Sequence, residues 1–274
     1  MRCRAVVSSS GNVNNNNCNN DNGVRPTCIT GRQSKQKAEI RIDTSKCITF
    51  PQWINIKEQN KWIKKLWQIE NLYSSYKRVK ADKKFNSGTA RFSIMALEGI
   101  QTLKEQLENQ TYSIAPYNKF KIYEPKERII ESCSFKDKTV QRCFSDYILT
   151  PKLNNIFIKW NTAGQIGKGH YMAMDGLRDH MLEFYSKNGL NGWIVKCDIR
   201  KYFYSIDHEI MKDVVDYYFD DEFTVWLNHL FIDSAENPGL PLGNQVNQKY
   251  ALLLLHSLDQ MITIEYGIQH YGRY

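Results

Sequence analysis

The sequence has no long hydrophobic run. A membrane-spanning helix needs about 18–20 consecutive apolar residues, whereas the longest apolar stretch here, residues 250–255, lies between Lys249 and His256. Residues 1–7 also lack the apolar region of a secretory signal peptide. We therefore expect a cytoplasmic protein with no membrane partner.

Regularly spaced cysteines are missing too. The seven cysteines are scattered and odd in number, so they form neither a zinc-binding pattern nor the disulfide framework of a small secreted protein. Cys133, Cys143 and Cys197 stand in apolar surroundings. We expect these three to be buried free thiols.

The composition is that of a folded, basic protein. Hydrophobic residues make up 42% of the chain, and the formal net charge is +8. The apolar fraction argues against disorder of the whole chain. A basic surplus suits a polyanionic partner, although on its own it is weak support for one.

The chain divides into three parts. Residues 1–46 contain an asparagine-rich stretch with no periodicity, which predicts a disordered leader. Residues 47–118 form an N-terminal helical region, because apolar residues recur there at three- and four-residue steps. Residues 119–274 alternate between strand and helix patterns, so we expect an α+β fold.

Individual elements follow from the same patterns. Helices are predicted over residues 50–84, 93–108, 135–149, 171–186, 208–218, 222–232 and 244–264. Residues 119–130 read as a hairpin, and residues 193–199 as a buried-type strand that ends beside a single acid. Asp207 is expected to cap the helix that follows it. A last strand is predicted to begin near Tyr266.

Four segments, in this order, resemble reverse transcriptases of the bacterial retroelement and group II intron-like branch. Residues 195–208 resemble the first catalytic motif of that family, and residues 239–248 its glycine turn and template-gripping helix. Residues 124–141 are similar to the fingers hairpin and the helix after it. Residues 164–169 occupy the place of a glycine-containing loop. A single such match is weak, but four in order are strong.

The resemblance implies a right-hand polymerase with fingers and an incomplete palm. Residues 266–274 look like the approach to the family's Tyr-x-Asp-Asp box, with Tyr274 as its tyrosine. The two aspartates would follow Tyr274 by two and three residues. We therefore expect the sequence to be a fragment that lacks the thumb and is inactive alone.

Asp198 is the candidate catalytic residue and metal ligand. Nucleotidyl transfer by this family uses two Mg²⁺ ions, which require oxygen ligands. The resemblance implies that Asp198 supplies a carboxylate and Ile199 a backbone carbonyl. The alternative for Asp198 is an acid that caps a turn at the end of a strand.

The resemblance also implies residues that bind the incoming dNTP. Phe203 would exclude a ribose 2′-hydroxyl by contact, and Arg128 and Lys126 would pair with the triphosphate. Guanidinium binds phosphate through two parallel hydrogen bonds, which favours Arg128. The alternatives are a core aromatic residue at Phe203 and a solvated charged turn at Lys126.

Gly243, Gln245 and Gln248 are the candidate residues beneath the template. Residues 242–248 are similar to the version of this segment in diversity-generating retroelements, although Asn247 replaces the usual serine. Such enzymes copy a template RNA into cDNA with errors at adenines. The implied partners are template RNA, a DNA primer or cDNA, dNTPs and a small basic accessory protein.

The leader and the function each leave alternatives open. Residues 9–29 resemble the C-terminal end of the lectin-like variable proteins that such elements mutate, so residues 1–32 are interpreted as translated template repeat. The alternative functions are a retron, intron or defence-associated reverse transcriptase, and a non-catalytic nucleic-acid-binding remnant. A further alternative, a lectin-like binding module, is supported by the leader alone.

Overall fold

The structure is a computed structural model of the chain. It describes residues 68–81, 87–123, 127–236 and 238–274, together with the backbone of residues 2–9 and 37–41. The described part is mostly helical, with two small antiparallel sheets. This bears out the α+β class.

The strands are β1 (Arg2–Ser9), β2 (Lys37–Arg41), β3 (Asn118–Ile122), β4 (Arg128–Ser132) and β5 (Trp193–Ile199). The helices are α1 (Ile69–Ala81), α2 (Ser87–Ile94), α3 (Ala96–Glu108), α4 (Phe135–Phe144), α5 (Thr150–Leu153), α6 (His170–Asn188), α7 (His208–Tyr218), α8 (Glu222–Ile232), α9 (Gln245–Leu254) and α10 (His256–Gln260). Short π-helical segments follow α4 and α10, and a 3₁₀ turn, Tyr202–Ser205, follows β5.

Two pairings define the sheets. β3 and β4 form the predicted hairpin, in which Phe120 stands opposite Ile130. The other sheet has the strand order β2-β1-β5 and is antiparallel throughout. Arg4 of β1 stands opposite Asp198 of β5 in the register. The N-terminal strand therefore occupies one edge of the strand that carries the candidate catalytic residue.

The strands β1 and β2 differ from the predicted disorder of residues 1–46. Apolar and β-branched residues such as Val6 and Val7 favour extended pairing with a neighbouring strand, a long-range effect that the composition of the leader does not reveal. The remainder of the leader lies outside the described residues. Its interpretation as template repeat therefore stays a prediction.

One hydrophobic core joins helices from both predicted regions downstream of the leader. Leu72 of α1 and Leu103 of α3 belong to the same cluster as Phe144 of α4, Leu227 of α8 and Tyr250 of α9. All five side chains are buried. Each such side chain stabilises the fold by about 1.5–3 kcal/mol relative to exposure, so this cluster is the main support of the fold.

Helices α7 and α8 match their predicted bounds because their starts carry strong local signals. Asp207 Oδ1 accepts hydrogen bonds from the backbone N–H groups of Glu209 and Ile210, at 3.0 and 3.2 Å. Asp221 Oδ1 caps α8 in the same way, at 2.6 Å from the nitrogen of Thr224. A side-chain acceptor at this position satisfies otherwise unpaired N–H groups, so the predicted role of Asp207 is confirmed.

Several predicted bounds are wrong. The helix expected over residues 93–108 begins earlier and is interrupted at Met95, and the helix expected over residues 244–264 is interrupted at Leu255. Near the C-terminus, only Arg273 forms a strand-like bridge, with Asn161. The helix predicted over residues 50–84 is described only from Ile69 to Ala81.

The prediction that β5 is buried is also wrong. Trp193 is 65% exposed and Val195 58% exposed, and Cys197 is exposed as well. Cys133 and Cys143 are buried free thiols, as expected. Burial depends on which elements pack over a strand, and apolar residues along β5 do not by themselves supply that cover.

Helix α6 shares this exposed apolar surface. Among its residues only Gly176 is buried, whereas Leu177, Met181 and Tyr185 are exposed. None of the helices in the described part of the chain combines the length and apolarity needed to cross a bilayer.

Candidate functional site

A cleft of about 1120 Å³ lies between β5, α6, α9 and the C-terminal segment. Asp198, Ile199, Phe203 and Gln248 line it together with Tyr274. Its volume is at or above the upper end of the range of about 300–1,000 Å³ that is usual for small-molecule sites. The cleft thus brings together four of the predicted site residues.

Asp198 is exposed and lines this cleft near the end of β5. It is the only aspartate or glutamate among the residues that line the cleft. Within the described part of the chain, no group of three or more His, Cys, Asp or Glu side chains could hold a metal ion. One carboxylate and one carbonyl are fewer oxygen ligands than two Mg²⁺ ions require.

The turn after β5 sets the position of Phe203. Lys201 has a φ of 53°, in the left-handed region that is unusual for a residue with a side chain, and this reverses the chain into the 3₁₀ turn. The neighbouring Tyr202 is mostly buried, and its hydroxyl donates a hydrogen bond of 2.6 Å to the carbonyl of Ala251. Burial raises the pKa of Tyr202. Phe203 packs partly against the core and partly lines the cleft.

Residues 239–243, the glycine turn, are joined to this region through the backbone. The N–H of Gly239 donates to the carbonyl of Ile206 at 2.9 Å, and the N–H of Leu240 donates to the carbonyl of Phe203 at 2.8 Å. His208 Nε2 donates to the carbonyl of Gly239 at 2.7 Å. Two of the segments that carry the family resemblance are therefore in direct contact.

The other two segments contact the same region. Lys249 Nζ donates to the carbonyl of Gly164 at 3.1 Å, which joins α9 to the glycine-containing loop. The hydroxyl of Tyr204 donates a longer hydrogen bond, 3.4 Å, to the carbonyl of Ile129 in β4. A β-carbon built at Gly243 would lie 3.7 Å from Ile130 Cγ2.

Three predicted site residues lie away from the cleft. Gly243 and Gln245 line a smaller cavity of about 170 Å³ instead. Arg128 is exposed at the start of β4 and lines neither cavity. Lys126 lies outside the described residues.

Two asparagines near the glycine turn have structural partners. Asn244 is buried, and its Nδ2 donates to the hydroxyl of Tyr117 at 2.8 Å. Burial raises the pKa of Tyr117 to about 12. Asn247 Nδ2 donates to the carbonyl of Pro241 at 3.0 Å. Asn247 therefore closes the turn before α9.

A buried ion pair near Tyr274 was not predicted from the sequence. The Asp259 carboxylate is fully buried, and it accepts hydrogen bonds from Arg273 and from the hydroxyl of Tyr271. Burial raises the pKa of Tyr271. A single acid in the apolar helix pattern of residues 244–264 is the signal that could have indicated it, since a buried charge needs a partner.

No protein-family model matches the chain, and no curated protein matches it.

Proposed function

We propose that the chain is part of an RNA-directed DNA polymerase, and that the large cleft receives the incoming dNTP. One observation carries this proposal. Three of the four segments that resemble reverse transcriptases contact one another directly, and the glycine-containing loop contacts Lys249, one residue beyond the segment 239–248. These contacts bring together segments that are spread over residues 124–248. The fingers and partial palm of a right-hand polymerase are the architecture that we propose for them.

Four of the predicted residues have roles at the incoming dNTP in this proposal. Asp198 would supply one oxygen ligand for Mg²⁺, and Ile199 would supply a second through its carbonyl. Phe203 discriminates deoxyribose from ribose by contact at the 2′ position. Arg128 pairs with the triphosphate, because an exposed guanidinium offers two parallel donors to phosphate oxygens.

The ligands in the described residues are insufficient for two-metal chemistry. Asp198 is the only carboxylate among the residues lining the cleft, so additional oxygen ligands are required before two Mg²⁺ ions can bind there. The roles that we propose for this chain's residues are therefore binding and positioning of the substrates.

The proposed substrates are a template RNA, a DNA primer or cDNA, and dNTPs. The similarity of residues 242–248 to diversity-generating retroelements favours an enzyme of that type, which makes errors at template adenines and works with a small basic accessory protein. Retron, intron and defence-associated polymerases remain the alternatives within the same class.

The lone carboxylate also favours a second candidate, a nucleic-acid-binding protein without catalysis. Such a protein would keep the contacts to template and primer but would not extend the primer. The smaller cavity beside the glycine turn is compatible with either candidate.

The test reads the gene through codon 274 and, where the frame continues, assays the complete product. Primer extension on RNA with Mg²⁺ is compared between wild type and Asp198→Ala. Asp207→Ala is the matched control, because it removes a nearby carboxylate that caps a helix. We expect extension to disappear only in Asp198→Ala. Extension that survives this substitution would refute the catalytic role of Asp198, and binding without extension in the wild type would refute the polymerase proposal and favour the second candidate.

A further inference from the structure

A small basic cavity lies between α1, α4 and the glycine turn. Its volume is about 170 Å³, and none of its lining residues also lines the large cleft. The lining residues are Arg78, Val79, Lys138, Gln141, Arg142, Gly243 and Gln245. The volume is below the usual range for a cofactor or small-molecule site, so it suits a single charged group.

The charge of the cavity is strongly positive. Arg78, Lys138 and Arg142 provide three cationic side chains, and the carboxylate of Asp146 is in direct contact with the two arginines. Cations gathered around so small a volume attract an anion, and their effect is stronger here than on open surface because part of the lining is shielded from water.

Asp146 holds both arginines through one oxygen atom. Its Oδ2 accepts a hydrogen bond of 2.8 Å from Arg78 Nη1 and one of 2.7 Å from Arg142 Nε. A guanidinium group has five N–H donors, so each arginine keeps donors for a ligand. Because the two side chains are already fixed, less conformational entropy is lost when they bind an anion.

The remaining lining offers a neutral amide and an open backbone. Gln141 is 2% exposed, and its amide Nε2 donates to Cys133 Sγ at 3.5 Å. Gly243 has a φ of 104°, which a side chain would strain, and space remains beside it. A ligand can therefore approach the main chain of Gly243 closely while the arginines bind its charge.

We infer that this cavity binds a backbone phosphate of a single-stranded nucleic acid. The inference deepens the proposed function and rests on it: the strand is the template, held where it passes the glycine turn. Phosphate suits the site because its oxygens accept several N–H donors at once, and arginine pairs with it in two-point fashion. Free inorganic phosphate has the same chemistry and is separated from a nucleic acid by the experiment.

The experiment measures binding of a labelled single-stranded oligouridylate to the full chain by fluorescence anisotropy, over a series of salt concentrations. The variant is Arg78→Gln/Arg142→Gln. The matched control, Lys77→Gln/Lys136→Gln, removes the same charge from the same two helices outside the cavity. We expect the first variant to weaken binding at least about 10-fold and to lower the salt slope by about 1–1.5. The control should remain within about threefold of wild type.

Two further measurements identify the ligand. An oligonucleotide with neutral methylphosphonate linkages should bind wild type and the arginine variant equally, because it lacks the backbone charge. Lys138→Gln leaves both arginine contacts to Asp146 in place, so it tests the cavity even if the double variant does not fold. We expect it to weaken oligouridylate binding about three- to tenfold.

Three results would overturn the inference. Equal losses in the arginine and lysine variants would reduce it to general surface charge. Unchanged oligouridylate binding in both Lys138→Gln and the arginine variant would also overturn the inference. Competition by inorganic phosphate beyond that of chloride at equal ionic strength, with oligouridylate binding unchanged in the variants, would assign the cavity to free phosphate.

Two outcomes separate this inference from the proposed function. Primer extension that depends on Asp198, with no role for the arginines in binding, would sink only the inference. Arginine-dependent binding by a complete product that cannot extend a primer would sink only the polymerase proposal.

Discussion

The guanidinium of Arg273 binds the buried carboxylate of Asp259 in two-point fashion, with Nε 3.0 Å from Oδ1 and Nη2 2.6 Å from Oδ2. Arg273 Nη2 also donates to the carbonyl of Leu252. On its other side, the backbone of Arg273 is hydrogen-bonded to Trp160 and Thr162. Arg273, the residue before Tyr274, is therefore attached to α9 and α10 by its side chain and to residues 160–162 by its backbone.

Breaking this pair should cost far more than replacing it. Arg273→Met leaves an uncompensated charge at Asp259, which is 0% exposed, so we expect a loss of about 3–5 kcal/mol in the free energy of unfolding. Asp259→Asn/Arg273→Met should lose less than the sum of the two single variants. Urea unfolding of all four proteins measures this, and additive losses would show that the two side chains are not coupled.

Asp198 should contribute little to stability, unlike a buried acid. Its side chain is exposed, so we expect Asp198→Ala to change the free energy of unfolding by no more than about 0.5 kcal/mol. Asp137 is the comparison, because it is fully buried and accepts hydrogen bonds from Tyr112, Ser134 and the backbone of Ala115. Asp137→Ala should cost about 3 kcal/mol or more. A similar loss in both variants would count against a site role for Asp198.

Lys201 allows a test of the backbone turn after β5. Because its φ is 53°, Lys201→Gly should leave stability near that of wild type, while Lys201→Val should lose about 1–2 kcal/mol relative to the glycine variant. Because the side chain is exposed, side-chain packing contributes little to this difference. Thermal and urea unfolding measure it, and equal stabilities would mean that the turn relaxes out of the left-handed region.

His256 should make stability depend on pH. Its ring is 2% exposed, and burial lowers its pKa below the ordinary value of 6.5. The unfolded chain therefore binds a proton more readily than the folded one, so stability present above pH 6.5 is lost as the pH falls below that value. His256→Gln should flatten this decline. Unfolding measured at several pH values between neutral and mildly acidic checks it, and parallel curves would exclude His256 as the cause.

The sequence predicted the elements with strong local signals and missed the long-range contacts. Helix α7 was placed correctly because Asp207 and an amphipathic pattern mark it within a few residues. The Arg78–Asp146 pair joins residues 68 positions apart, and no periodicity connects them. The exposure of β5 was missed for the same reason, since burial depends on the elements packed over a strand.

The candidate site was predicted in part. The segment around Asp198 and the glycine turn could be identified, because each is a short run with a recognisable residue pattern. The sequence could not show that the segment around Asp198 and the glycine turn line two different cavities. That arrangement depends on how α1 and α4 pack beside the turn. The hydrogen bond from Asn244 to Tyr117 joins residues 127 positions apart, so no local pattern could indicate it.

The two backbone hydrogen bonds between the glycine turn and residues 203–206 have a mechanical consequence. They act as a short brace, so the peptide units of Phe203 and Leu240 keep a nearly constant separation. In the polymerase that we propose, a strain imposed on one side by the template would be passed through this brace to the aromatic residue that contacts the sugar. The fit of the template and the selection of the sugar would then both depend on these two hydrogen bonds.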